Sequence, residues 1–287
     1  MEFAEVELPG GIRLEGSWRR DAVLRPLAGR DEAFLLQEGR ALTPAARTTA
    51  VLARCLSRIG SVSRVTPDIS RSLIIGDREA LLLHLRRLTL GEKISCLLKC
   101  PACAEKLDLD LEVSELLLPP YGPATDAHEM SVPTDDGSYR VRFRLPNGAD
   151  QEQAAAVVAA APESAAELVL GRCVQDIVDE RTGEPAQPIP AAVADAVIKK
   201  MAELDPQAEI LLDLVCPACG GSFGTSFDIG DYFYREFCGR ERDLHREIHL
   251  LAFHYHWSER EILRLTRRKR LIYLDLLSSA LSEERFQ

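Results

Sequence analysis

The sequence contains no long uncharged stretch. No run of about 18 uncharged apolar residues occurs, which is the length that a membrane-spanning helix needs. The opening residues Met1–Glu5 include two glutamates and no basic residue, whereas a secretory signal begins with basic residues followed by an apolar core. We therefore expect a protein that stays in the cytoplasm and does not contact a membrane.

Positive charge is also scarce. The chain has 35 Lys and Arg against 45 Asp and Glu, a net charge of -10. A general nucleic-acid binder needs a positive field to displace counterions from phosphates, so we do not expect nucleic acid as the partner. The sequence also lacks a glycine-rich phosphate-binding loop and a nucleophile elbow. Without a catalytic constellation, we expect a protein that is not an enzyme.

We do not expect a disulfide framework. The chain of 287 residues has eight cysteines, and in the expected cytoplasmic location they should be reduced. Four of them fall in two identical Cys-Pro-Ala-Cys motifs, at residues 100–103 and 216–219. Such close pairs indicate metal or redox chemistry. The remaining cysteines lack this spacing, and we expect them to be small core residues. They are Cys55, Cys96, Cys173 and Cys238.

Alternating apolar residues flank both motifs. Residues 94–98 lead into the first motif, and residues 106–113 alternate strictly after it. Residues 210–214 and 223–229 repeat this arrangement around the second motif. Alternation with a period of two predicts half-buried strands. Each motif is therefore expected at the tip of a β-hairpin, and the two hairpins together predict a zinc ribbon that a long insertion splits.

The predicted ligands are Cys100, Cys103, Cys216 and Cys219. Four thiolates suit the tetrahedral coordination of one Zn²⁺ and leave no open position, so the predicted ion is structural and not catalytic. The usual spacer between two such pairs is about 15–20 residues. Here a whole subdomain intervenes, so the ion would clip together distant parts of the chain.

Cysteine and histidine at these spacings could also support two other chemistries, a redox centre and a zinc hydrolase. A thioredoxin-like redox centre needs a helix that begins at the first cysteine and lowers its pKa, but strand patterns follow both motifs. His245 and His249 lie four residues apart and could hold the zinc of a hydrolase. The metalloprotease pattern requires a glutamate directly after the first histidine, and Arg246 stands there. We expect both histidines to be half exposed.

The basic run Arg267–Arg270 is the strongest charge cluster in the sequence. At helical spacing its charges spread around the axis, so we expect a solvated helix face. Partner binding is one alternative. Another is a zinc-ribbon nucleic-acid module that acts through this basic helix, which would bind phosphates in a salt-dependent way.

Two local signals predict helix boundaries. Thr43 followed by Pro44 is typical of a helix start, and the apolar spacing predicts that this helix continues through Ile59 and stops at Gly60. Asp150 is expected to cap an alanine-rich helix.

The order of these patterns predicts an α+β protein in which a split zinc ribbon of two CxxC hairpins joins an N-terminal α/β region to an inserted α/β subdomain. An all-helical unit ends the chain. The predicted divisions are residues 1–92 (strands and two helices), 93–114 (first hairpin), 115–206 (inserted subdomain), 207–230 (second hairpin) and 231–287 (helical unit).

The pattern over roughly residues 1–230 resembles a known family. Val23–Leu27, the leucine-rich segment Gly76–Arg86, the strand Val141–Pro146 and the two cysteine hairpins occur in an order that is similar to the baseplate hub assembly chaperone family of T-even-type contractile phages and related contractile injection systems. The segment from His256 to Tyr273 looks like small helical segments of phage-tail assembly proteins.

This resemblance implies a non-enzymatic factor that helps to build a baseplate or tail hub in the bacterial cytoplasm. Its partner would be a baseplate hub or tape-measure protein. The four cysteines are the only family residues that carry over, and no binding surface does. A permanent structural component of the baseplate is the alternative role.

Overall fold

The N-terminal region is a small antiparallel sheet packed on helices. The computed structural model describes residues 3–135, 137–158 and 161–284. The sheet order is β1-β2-β3. The elements of this region are β1 (Ala4–Leu14), β2 (Ser17–Leu24), α1 (Gly29–Leu36), α2 (Pro44–Cys55), β3 (Leu56–Ile59), α3 (Pro67–Ser72) and α4 (Ile75–Leu90).

Helix α2 begins where the sequence predicts and ends earlier. Thr43 caps it and Pro44 occupies the first position. The predicted continuation to Gly60 is wrong, because Leu56–Ile59 forms β3 and pairs with β2. An unpaired strand edge leaves backbone groups without hydrogen bonds. Pairing as a strand supplies those bonds and still buries the apolar ends of the segment.

Helix α4 lies in the middle of the main core. Its leucines at 81, 82, 83 and 85 are all buried, so more than one face of the helix is covered. The carboxylate of Asp77, also buried, accepts hydrogen bonds from the backbone N–H groups of Gly10 (2.8 Å) and Gly11 (3.0 Å) at an irregularity in β1. Burial raises the pKa of Asp77 to about 7.

The first cysteine hairpin and the segment after it follow α4. The hairpin consists of β4 (Lys93–Lys99) and β5 (Lys106–Glu112), and α5 (Val113–Leu116) comes next. The segment between the hairpins builds a second antiparallel sheet, β6-β7-β8, with its own apolar core. Its elements are β6 (His128–Thr134), β7 (Gly137–Phe143), α6 (Gly148–Val158), α7 (Pro162–Cys173), β8 (Val174–Asp179) and α8 (Ala191–Leu204).

Asp150 does not cap α6, which corrects the prediction. The side chain of Asn147 accepts a hydrogen bond from the backbone N–H of Ala149 at 3.0 Å instead. The carboxylate of Asp150 is fully buried and pairs with Arg144 (2.6 Å) and Arg172 (2.7 Å). The same carboxylate also accepts a hydrogen bond from the backbone N–H of Asn147 at 3.0 Å, so Asp150 supports the helix start from the third position of α6 and not as its N-cap.

The second hairpin and a series of helices complete the part of the chain that the structure describes. The predicted mixture of small sheets, helices and a helical C-terminus is confirmed. No helix among the described residues has the length and apolarity needed to cross a bilayer. The remaining elements are β9 (Leu211–Val215), β10 (Ser222–Ser226), α9 (Ile229–Gly239), α10 (Glu241–Tyr255), α11 (Glu259–Ile262) and α12 (Arg267–Glu284).

A buried arginine fastens the C-terminal helices to the N-terminal region. Arg270 on α12 is 0 % exposed, which corrects the expectation that the whole basic run is solvated. Its guanidinium pairs with Glu32 of α1 at 2.9 Å and with Glu247 of α10 at 2.7 Å. Two carboxylates satisfy a charge that would be costly to bury alone. The partner Glu32 is far away in sequence, so no local pattern could reveal this contact.

Candidate metal centre

The two cysteine motifs form turns of the same geometry. In the first, the backbone N–H of Ala104 donates to the carbonyl of Cys100 at 2.9 Å, and the N–H of Cys100 donates to Glu105 at 2.9 Å. In the second, the corresponding bonds join Gly220 to Cys216 at 2.8 Å and Cys216 to Gly221 at 2.9 Å. The two turns therefore repeat the same hydrogen-bond pattern around their cysteines.

The residue after the second cysteine is left-handed in both turns. The φ angle is 60° at Ala104 and 71° at Gly220. Glycine adopts such angles freely, whereas an L-residue with a Cβ is strained by about 1–2 kcal/mol. Gly220 therefore suits this position, and Ala104 departs from it. The structure places the alanine in the conformation that the glycine favours.

All four predicted ligand cysteines meet at one point between the hairpins. Their Sγ atoms lie within 4.8 Å of one another. Two pairs cross from one hairpin to the other: Cys100 Sγ lies 3.8 Å from Cys219 Sγ, and Cys103 Sγ lies 3.7 Å from Cys216 Sγ. The first cysteine of each motif is buried and the second is exposed. The site therefore lies at the surface with its inner half covered.

The sulfur separations fit a tetrahedral thiolate site. A Zn–S bond of about 2.3 Å places the corners of a regular tetrahedron about 3.8 Å apart, which is the distance found between the crossing pairs. A disulfide requires an S–S distance near 2.0 Å, and all eight cysteines are free. The four cysteines could therefore hold a metal ion.

The four neighbouring thiols influence one another's ionisation. The pKa of the Cys100 thiol is lowered to about 7, mainly because the backbone N–H of Cys103 donates a hydrogen bond to its sulfur. The N–H of Glu105 lowers the pKa of Cys103, but desolvation and the neighbouring thiols outweigh it and raise that pKa to about 12. Sulfurs this close cannot all ionise without a shared positive charge. A divalent metal would remove this conflict.

The open ends of both hairpins lie in the main core. Ile94 at the start of β4, Val113 after β5, and Ile210 and Phe227 on either side of the second hairpin belong to the same apolar cluster. At the cysteine end the core is much smaller, with only Cys100, Leu107 and Cys216 buried in its cluster. Each hairpin is thus packed into the protein at its open end and has little apolar support at its tip.

A single glutamine ties together the two places where the chain leaves and rejoins this core. Gln207 is 1 % exposed. Its side-chain oxygen accepts a hydrogen bond from the N–H of Leu118 at 2.7 Å, and its side-chain nitrogen donates to the carbonyl of Leu116 at 3.1 Å. The long segment between the hairpins therefore starts and ends at neighbouring points, which lets both cysteine turns reach the same place.

The two histidines of the hydrolase alternative lie on the exposed face of α10. The ring of His245 contacts the backbone oxygen of Glu241 at 2.9 Å, and the ring of His249 stacks on Phe253. Neither belongs to a metal-binding group: among the described residues, the four cysteines form the only cluster of three or more metal-ligating side chains. Both side chains are exposed, where half exposure was predicted.

The other cysteines are separate from this site. Cys55 and Cys173 are fully buried, as small core residues should be. Cys96 and Cys238 are half buried.

A comparison with protein-family models decides the relationship of the chain. The model of the T4 bacteriophage base plate protein family matches residues 17–233. The chain belongs to this family. No curated protein and no solved structure shows significant similarity to it. The predicted relation to phage baseplate proteins is thus confirmed at the level of the family.

The family match covers the parts of the molecule that build the cysteine site. It begins at the first residue of β2 and ends inside α9, so it includes both hairpins and the whole segment between them. Helices α10, α11 and α12 lie outside the matched residues. The buried pair between Arg270 and Glu32 therefore joins a segment beyond the match to the body of the family.

Proposed function

We propose that this protein is a non-enzymatic assembly factor for the baseplate or tail hub of a contractile phage tail or a phage-like injection system. It acts in the bacterial cytoplasm by binding a baseplate hub or tape-measure protein. The family match over residues 17–233 carries this proposal. The acidic net charge of -10 adds support, because it favours protein partners over nucleic acid.

We further propose that the four cysteines bind one structural Zn²⁺ and complete a split zinc ribbon. The support is the pair of crossing sulfur distances, 3.8 and 3.7 Å, which equal the edge of a zinc–thiolate tetrahedron. In this role the ion does no chemistry on a substrate. It holds together two tips that have almost no apolar core of their own.

The family match favours a second role equally, that of a permanent baseplate component. Deletion of the gene separates both roles from an unrelated function, because either predicts tails without a complete baseplate in electron micrographs. Normal particles from the deletion strain would contradict both.

Mass spectrometry of purified particles then separates the two roles. An assembly factor should be absent from finished particles, whereas a structural component should be present at a fixed ratio to other baseplate subunits. Pull-down with purified hub and tape-measure proteins identifies the partner, and binding to neither would contradict the proposed partner class.

A further inference from the structure

A groove lies between the family body and the C-terminal helices. Its volume is ≈ 590 Å³. One wall comes from Leu27 and from Leu88 near the end of α4, within the matched residues. The opposite wall comes from residues 264–269 and Ile272 at the start of α12, beyond the match. We call this feature the basic groove. The C-terminal helices thus create a surface that the family body alone does not have.

The two walls of the basic groove are fixed to each other. The backbone N–H of Gly29 donates to Leu265 at 3.0 Å, and that of Arg30 donates to Leu263 at 2.8 Å. Arg270 and Glu32 follow these hydrogen-bonded residues closely in sequence. Their buried ion pair also holds α12 against α1. A groove held in this way is formed before a ligand arrives, so little ordering cost is added on binding.

The charge of the basic groove contrasts with that of the chain. The cations that it offers to a ligand are Arg264, Arg267 and Lys269, and none of the described residues that line it is acidic. Two carboxylates lie near the lining: Glu261 accepts hydrogen bonds from Ser258, and Glu32 is buried with Arg270. Each also attracts one lining cation, Glu261 that of Arg264 and Glu32 that of Arg267, so the charge that remains for a ligand is that of a few side chains. Residues 231–287 contain 11 Lys and Arg against 10 Asp and Glu, whereas residues 1–230 contain 24 against 35. The positive surface is therefore local.

The floor of the basic groove is apolar, which distinguishes between classes of ligand. This floor is the apolar surface that Leu88 of one wall, which is half buried, and Ile272 of the other, which is 52 % exposed, offer to a ligand, whereas Leu27 is fully buried. Nucleic acid is bound by extended positive surfaces that follow the phosphates, and here a few cations surround an apolar patch on an acidic protein. Cations around an apolar floor complement a peptide that carries carboxylates on either side of an aliphatic or aromatic side chain.

We propose that the basic groove is the docking site for an acidic segment of a partner protein, with an apolar side chain of that segment on its floor. This inference rests on the proposed function, since it names the chemistry of the partner that an assembly factor would bind. The C-terminal helices then serve as a partner-specific addition to the family body.

Fluorescence polarisation with the full, metal-loaded chain tests this directly. The probe is a short labelled peptide of alternating Glu and Leu. The comparison probes are the matching Lys–Leu peptide, a Glu–Ser peptide and an oligothymidine strand. We expect the Glu–Leu peptide to bind most tightly and to bind less well as salt rises. Tighter binding of the oligothymidine at this groove would overturn the proposal.

The decisive variant is Arg264→Glu with Lys269→Glu, which reverses two exposed charges of the groove. It should weaken the Glu–Leu peptide at least about tenfold. The matched control is Arg242→Glu with Arg260→Glu, two exposed arginines in the same helical region that do not line the groove, and its affinity should stay within about twofold of the parent. Equal losses in both variants would overturn the proposal.

Two further measurements keep the result interpretable. Thermal unfolding and metal content should be the same in both double variants, and if the charge reversal does not fold, Arg264→Gln with Lys269→Gln replaces it. Particle yield with the groove variant separates this inference from the proposed function. Normal yield without peptide binding would remove the groove and leave the assembly role in place. If the protein binds the peptide but particles form normally without the protein, the assembly role would be removed and the groove would remain.

Discussion

The two cysteine hairpins have the same motif and the same turn, yet they differ in how well the sequence suits that turn. Gly220 follows the second motif and adopts its left-handed angle without strain, whereas Ala104 adopts nearly the same angle with a Cβ. Both hairpins have their open ends in the main core and their tips at the cysteines. The first turn therefore has the same conformation and hydrogen bonds as the second, although its local sequence suits that conformation less well.

The largest expected effect comes from removing one ligand from either hairpin. Cys103→Ser and Cys219→Ser should both abolish metal binding, because structural zinc contributes on the order of 10 kcal/mol and both tips depend on the same ion. Metal analysis should fall from one ion per chain to none. Hydrogen exchange should rise in residues 93–112 and 211–226 alike.

Cys96→Ser is the control for this pair, since Cys96 lies on β4 outside the cluster. It should keep the metal. If Cys219→Ser loses the ion and Cys103→Ser retains it, the two hairpins do not share a site.

The next effect concerns the open ends of the hairpins. Gln207→Ala leaves the backbone groups of Leu116 and Leu118 without their partner, which should lower the free energy of unfolding by roughly 2–4 kcal/mol in chemical denaturation. Metal content should not change, because the cysteine tips keep their ligands. Gln37→Ala, at an exposed position, is the control and should have little effect. Loss of the metal in Gln207→Ala would contradict the prediction, because it would mean that metal binding at the tips depends on the contacts at the open ends.

Acidity should act in opposite directions on the core and on the cysteine tips. The folded pKa of Asp77 is about 7, above its ordinary value of 3.8, so folding binds its proton. Its contribution to stability is full below about pH 4 and is lost as the pH rises to about 7. Asp77→Asn should therefore flatten the pH dependence of the unfolding free energy in this range.

Metal binding to the cysteines should follow the opposite trend, because thiolates must lose their protons to bind. Metal release on acidification is the measurement, and Asp77→Asn should leave its midpoint unchanged. A variant whose pH dependence of stability matches the parent would contradict the role given to Asp77.

The smallest effect compares the two turns directly. Ala104→Gly should raise the free energy of unfolding by about 1 kcal/mol, and Gly220→Ala should lower it by about as much. A Cβ at Gly220 would meet no atom within 4 Å, so only backbone strain contributes there. Thermal unfolding of the metal-loaded proteins measures both. Changes of the same sign would contradict the equivalence of the two turns.

The sequence was sufficient to predict the cysteine cluster because its signals are local. Spacing, alternation and repetition of the motif all lie within a few residues of each cysteine, and the structure brings the four together. The start of α2 at Pro44 and its cap at Thr43 were predicted for the same reason.

The features that sequence reasoning missed depend on distant partners. The segment Leu56–Ile59 has a helical pattern but pairs with β2 as a strand. Asp150 has the signature of a helix cap but pairs with two arginines. Arg270 belongs to a basic run that suggests a solvated face, yet it is buried and forms an ion pair with Glu32, which is distant in sequence. In each case tertiary contacts outweigh local propensity.

X-ray absorption spectroscopy of the purified protein, together with its metal stoichiometry, tests the central claim most directly. We predict one zinc per chain with four sulfur neighbours at about 2.3 Å. A folded chain without metal, or a first shell in which nitrogen and oxygen outnumber sulfur, would contradict the account.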